Sequence, residues 1–114
     1  MKQGEIWLVD FDPSFGHEYQ KVRPALIVES DVYISLGNLV TVVPISSQIH
    51  KSGILDVLIS KDTANRLMSD SLAKTRQISS FDSRRFIKKI GLSQPYILNE
   101  ILHNISLYLG MTKN

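Results

Sequence analysis

Hydrophobic and polar positions alternate in short blocks along the chain. Residues 5–11, EIWLVDF, form an apolar run rich in β-branched and aromatic residues. The run is too short for a helix standing alone and predicts a buried strand. Asp12, Pro13, Ser14 and Gly16 break it, so residues 12–22 read as a loop. Pro24 steers Arg23 toward extended backbone, because the residue before a proline is disfavoured in the α region. PALIVES, 24–30, then continues as a strand, with Pro24 at its start or on an edge because it has no N–H. Gly37-Asn38 signals a turn, and LVTVVPI, 39–45, predicts the next strand. SSQIHKSG, 46–53, is polar and loop-like. ILDVLIS, 54–60, alternates imperfectly and reads as a strand, and KDTANRLMSD, 61–70, as a short helical turn. In SLAKTRQI, 71–78, Leu72, Lys74, Arg76 and Ile78 share one parity, which predicts a strand with one polar face. IKKIGLS, 87–93, predicts a short last strand.

The pattern then changes period. Ile97, Leu98, Ile101, Leu102, Ile105 and Leu109 recur at helical spacing and form one apolar stripe. Ser93 suits the N-cap, Pro95 the first turn and Gly110 the stop. Several short strands and one C-terminal helix over the open side of the sheet predict a mainly β (α+β) fold, a small barrel or strongly curved sheet. Strand–helix alternation is missing, which argues against a doubly wound α/β fold.

The 114 residues fit one domain, 1–114, large enough to bury roughly two-thirds of the surface its unfolded chain exposes. The absence of cysteine rules out disulfides and thiolate metal sites and fits a reducing cytosol. Asp10 and Asp12 interrupt the N-terminal apolar stretch, which is neither a signal peptide nor a membrane span. A net charge of +2 is too mild to argue for nucleic acid by itself. Position matters more: Lys21 with Arg23, Lys74 with Arg76, and the cluster Arg84, Arg85, Lys88 and Lys89. A face gathering several of these would track a phosphate backbone, although the 84–89 cluster alone reads as a solvated surface.

Candidate chemistry narrows by elimination. His17, His50 and His103 lie in three distant segments, with no HExxH and no His/Asp pair at ligand spacing, so no metal site is predicted. No Walker-type, GxGxxG or GxSxG motif is present, and no cofactor is expected. What remains is a polar set without metal. Arg23 carries a permanent, forked charge that matches phosphate oxygens. Ser46 and Ser47 open the loop after a buried strand, His17 titrates near neutral pH, and Glu18 accepts protons. Such parts suit phosphodiester cleavage by the substrate's own 2′-hydroxyl, a group only RNA has. The competing reading makes Arg23 a structural ion-pair partner of Asp31 or Glu18, and spacing alone leaves both open.

The stretch GEIWLVDFDPSFGHEYQKVRPALIV resembles the opening of the MazF/PemK family of bacterial toxin–antitoxin toxins, most of all its PemK/Kid branch. Gly4, Glu5, Ile6, Trp7, Pro13, Gly16, His17, Glu18, Arg23, Pro24, Leu26, Ile27 and Val28 fit that pattern. VVPISSQ, DSLAKTRQISSFD and ISLYLG resemble its later segments, so the likeness covers nearly the whole chain. The resemblance implies an SH3-like β-barrel with short helices and a C-terminal helix, assembled as a homodimer in the cytoplasm, with no membrane association. It implies metal-independent, sequence-specific cleavage of single-stranded RNA, mRNA foremost, leaving a 2′,3′-cyclic phosphate and a 5′-hydroxyl. A cognate antitoxin would block the RNA groove, and operator DNA would be met only through the antitoxin complex. By the same resemblance Arg23, Ser46 and His17 are catalytic. Phe15, Glu18, Ser47, Gln48, Lys74, Arg76 and Gln77 fall where members contact RNA.

This sequence departs from the family pattern at four positions. Ser46 stands where many members have threonine, keeping the hydroxyl without the β-branch. Arg76 stands where the PemK/Kid branch has a catalytic aspartate, Lys74 replaces its upstream arginine, and Ser79 replaces a later one. A mechanism needing that carboxylate cannot run here. Non-catalytic alternatives are a protein binder like the gyrase poison CcdB, whose relatives lack the GHE…RP segment, and an inactive antitoxin- or operator-binding member. Structural readings also stand beside the functional ones. Trp7 fits the core, Gln48 satisfies loop backbone, Arg76 pairs with Asp82 or Asp70, and Tyr19 is a candidate for base stacking.

Overall fold

The computed structural model describes residues 1–11 and 22–111. Among the described residues seven strands make one antiparallel sheet: β1 (Glu5–Asp10), β2 (Val22–Ile27), β3 (Leu39–Ser46), β4 (Val57–Ile59), β5 (Ser71–Ala73), β6 (Ser79–Asp82) and β7 (Phe86–Leu92). The order is β4-β5-β3-β2-β1-β7. Strand β3 is the hub. Its one edge carries β2, while its other edge is shared, with Leu39–Val42 pairing β6 and Ile45–Ser46 pairing β5. β6 and β5 therefore follow one another along the same edge of β3.

Period-2 alternation sorts the strand residues into two apolar layers. Ile6, Leu26, Val43 and Ile45 join Val57, Ile59 and Leu67 beneath a C-terminal helix, α2 (Pro95–Tyr108), which contributes Ile97 and Ile101. Val9, Ala25, Ile27, Val40 and Val42 face the other way and pack on Phe11 and Phe86. A single turn of helix, α1 (Asp31–Ile34), joins β2 to β3, with the Ser30 side chain accepting from Val32 N at its start. Trp7 borders the second layer edge-on to Phe86, in keeping with its core reading. No helix among the described residues is long and apolar enough to cross a membrane.

Several predicted elements shift. The expected strand 71–78 stops at Ala73. Thr75–Gln77 coil into a 3-10 turn that buries Thr75 completely, and the chain re-enters the sheet as β6. Alternation misleads here because Lys74 N already bonds Pro44 O at 2.9 Å, after which the backbone turns away. The strand expected over 54–60 shrinks to β4, since Leu55 takes a left-handed φ of 68°. Residues 61–70 hold turns, one of them closed by Arg66 N donating to Asp62 O at 3.0 Å as in a single helical turn. Helix α2 is capped by Gln94, not Ser93, whose amide is held by Gly4 O at 2.9 Å. The apolar stripe ends at Ile105, and Leu109 at the helix end is exposed. Gly110 follows with φ 74°, the left-handed stop that glycine tolerates.

Candidate active site

The end of β3 organises the candidate site. Arg23 is the second residue of β2, fixed in register opposite Val9 of β1. Its Nη2 donates to Ile45 O at 3.2 Å, and its guanidinium lies 5.8 Å from the Phe11 ring centroid. The charged head is half-buried at the edge of the core, placed by a backbone carbonyl and an aromatic face. Asp31, one of its suggested partners, instead accepts from Gln3 N at 2.6 Å. The other, Glu18, lies outside the described residues, as do Phe15, His17 and Tyr19.

Beside Arg23 opens a solvent-facing cavity of about 360 Å³. Ser46, Ser47 and Gln48 form its next wall, continuing directly from β3. Ser46 Oγ accepts from Gln48 N at 3.2 Å and so shapes the loop. Ile49–Lys51 then close a 3-10 turn. The far wall is Leu67, Met68 and Ser69, with Met68 96% exposed at the rim. Sequence reasoning missed that wall, because residues 61–70 carry no motif. It is built by Asn65, buried to 1% exposure, whose Oδ1 accepts from Asp62 N and Leu67 N and whose Nδ2 donates to Ser60 O. The Asp62 carboxyl, accepting from Asn65 N and Ala64 N and from Gln94, is held below its usual range, chiefly by the Asn65 bond.

Lys74, Arg76 and Gln77 lie elsewhere. They line a second cleft of about 280 Å³ with Gly53, Ile54 and Asp56. Lys74 Nζ forms a 2.6 Å ion pair with Asp56 Oδ2, the two side chains being 17% and 4% exposed. The Arg76 guanidinium is exposed, 5.9 Å from the Tyr108 ring centroid. Its two suggested partners are engaged differently. Asp70 accepts from Lys61 N, and Asp82 takes a fork from Arg84 that, with the Arg84 amide, draws its pKa down to about 2. The 84–89 cluster is likewise tied into the fold. Arg85 donates to Asp10 O, and Lys89 pairs with Glu5 Oε2 at 3.1 Å. Burial raises the Glu5 pKa, but bonds from Trp7 Nε1, Lys2 N and Lys89 outweigh it, and the carboxyl ends below its usual value.

The arrangement sets a fixed cation and the hydroxyls of Ser46, Ser47, Ser69 and Ser71 around a space open to a ligand. Residues 2–109 match the family described as PemK-like, MazF-like toxins of type II toxin–antitoxin systems. The chain belongs to this toxin family. It is 35% identical to "Endoribonuclease MazF9" of Mycobacterium tuberculosis, over 97% of this chain and 98% of that protein. It is 32% identical to "Endoribonuclease PemK" of Escherichia coli, over 96% and 82% respectively. The fold matches, with a TM-score of 0.80 at 15% identity, a mycobacterial endoribonuclease solved in complex with its cognate antitoxin, over 100% of this chain and 99% of that one. The toxin therefore has the MazF fold, a mainly antiparallel sheet with short helices and a C-terminal helix, as the resemblance implied.

Proposed function

We propose that this toxin is a metal-independent endoribonuclease that cuts single-stranded RNA, mRNA foremost, at particular sequences. The observation that carries the proposal is the shared cleft of Arg23 and Ser46, with the guanidinium anchored on Ile45 O. Relatives 35% and 32% identical over nearly the whole chain bear the endoribonuclease name.

In this reaction the substrate's 2′-oxygen attacks the adjacent phosphorus. The O2′–P bond forms, the P–O5′ bond breaks, a base takes the 2′-proton and an acid returns one to O5′. The products are a 2′,3′-cyclic phosphate and a 5′-hydroxyl. Arg23 stabilises the negative charge that grows on the non-bridging oxygens, and its placement before the substrate arrives avoids reorganisation during the step. Ser46 donates its hydroxyl to the same phosphate. His17 is assigned the general base by family resemblance. Ser47 and Gln48 contact bases along the first cleft, Arg76 and Gln77 along the second, with Phe15 and Glu18 completing the set. The toxin acts in the cytoplasm as one domain and as a homodimer. Its partner is a cognate antitoxin, by analogy with the structural relative solved in such a complex, and it meets operator DNA through that complex.

The test is cleavage of a mixed-sequence single-stranded RNA in EDTA, with Arg23→Ala and Arg23→Lys beside the wild type. The wild type should leave cyclic-phosphate ends. Arg23→Ala should lose at least about a hundredfold in rate, and Arg23→Lys should recover little, because lysine lacks the fork. A wild type that cuts no RNA refutes the reading and favours a binding module, and an Arg23→Ala variant that cuts as fast refutes the role given to Arg23.

A further inference from the structure

Lys74 holds three segments at once. Its Nζ donates to Asp56 Oδ2 at 2.6 Å and to Lys51 O at 3.2 Å, and its backbone N donates to Pro44 O at 2.9 Å. Asp56 Oδ2 also accepts from Gly53 N at 2.8 Å. The 46–53 loop is thus fastened near its far end to the same lysine whose main chain is fastened to β3 two residues before Ser46. Between the fastenings lie Ser46, the last residue of β3 and paired with Leu72 of β5, and beyond it Ser47 and Gln48. The loop's internal bonds, Gln48 N to Ser46 Oγ, Ile49 N to Ser47 O and Lys51 N to Gln48 O, fix its shape but not its attitude to the sheet. An ammonium committed to a carboxylate that is 4% exposed is not on offer to an RNA phosphate without stranding that carboxylate.

The geometry points to Lys74 and Asp56 as a positioning pair that sets Ser47 and Gln48, and through the Gln48 N bond the Ser46 hydroxyl, in the wall of the Arg23 cleft, rather than to Lys74 as an RNA contact. This inference rests on the ribonuclease reading. It assigns Asp56, whose side chain is 4% exposed, a role in the reaction exerted through Lys74 and the loop. It also explains how the departure at position 74 is absorbed, since a lysine's point charge suits a single carboxylate oxygen and a carbonyl.

The experiment uses Lys74→Met, Asp56→Asn and the double variant, each assayed below its own unfolding transition and per folded molecule. Readouts are kcat and KM on a cleaved RNA, the salt dependence of RNA binding, and amide hydrogen exchange at Gln48, Ile49 and Lys51. A positioning pair predicts that each single variant loses about ten- to a hundredfold in kcat with KM and salt slope unchanged. It also predicts faster exchange at the three amides and a double variant no worse than the worse single one. If a single variant does not fold, the double variant, which strands no buried charge, is read against the same expectations. The inference is overturned if Lys74→Met raises KM and lowers the salt slope by about one while Asp56→Asn keeps its kcat. It is equally overturned if exchange at the three amides matches the wild type. Should the wild type cleave no RNA, the ribonuclease reading fails by itself and the exchange measurement alone decides the clamp.

Discussion

Gly91 on β7 faces Ile6 of β1 and backs onto the 62–67 turn. A Cβ added there would sit 2.5 Å from both Ala64 O and Asn65 O and 2.7 Å from Asn65 C. All three are backbone atoms, so no side chain can swing aside. Reaching 3.0 Å from 2.5 Å requires at least about half an ångström of movement between β7 and the turn. The turn resists. Asn65 is locked by three side-chain bonds, and Leu92 N donates to Ala64 O at 3.0 Å beside the clash. Gly91→Ala should therefore cost about 2–3 kcal/mol from overpacking and about 1 kcal/mol for the weakened Leu92 bond. Restricting the unfolded chain returns about 0.5–1 kcal/mol. The net of about 3 kcal/mol corresponds to a fall in Tm of about 12 °C or more for a domain of this size. Thermal unfolding followed by circular dichroism checks it, with Gly37→Ala as comparator, since a Cβ at Gly37 meets nothing within 4 Å. A Gly91→Ala variant melting within about 2 °C of the wild type refutes the reasoning. Leu67, Met68 and Ser69 continue from that turn into the Arg23 cleft, so RNA cleavage should fall together with stability.

Thr75 is fully buried, and its Oγ1 has no hydrogen-bond partner among the described residues. Thr75→Val, which keeps the shape and removes the orphaned hydroxyl, should raise stability by about 1 kcal/mol in urea unfolding; a lower midpoint would show that the hydroxyl is bonded. Glu5 has a folded pKa below its unfolded value near 4.5, so its contribution is complete above that pH and fades as pH falls through the folded pKa. Glu5→Gln should melt below the wild type at pH 7, with the gap closing as pH drops under about 4.5; a gap constant from pH 7 to pH 3 would contradict the assignment.

Legibility followed the strength of the local pattern. β1, β3, β7 and α2 were readable because apolar periodicity and tertiary packing agree there, as at Ile97 and Ile101. β6 was not. SSFD has little β-propensity and becomes a strand because the Leu39–Val42 edge of β3 is open to it. The overextended strand 71–78 failed for the opposite reason, a strand-like parity pattern overruled by the turn that buries Thr75. At the site, proline chemistry put Arg23 on extended backbone at the start of a strand, and there it lies. Spacing left its partner open, and Ile45 O belongs to no sequence motif. The Lys74–Asp56 pair spans 18 residues and two elements, a separation at which one sequence carries no pairing signal.

The anchor beneath Arg23 has an evolutionary consequence. Ile45 contributes its side chain to the core and its carbonyl oxygen to the arginine. All twenty residue types offer that same oxygen. Drift at position 45 can remodel the interior while the arginine keeps this bond, and an alanine scan will pass over the oxygen that makes it.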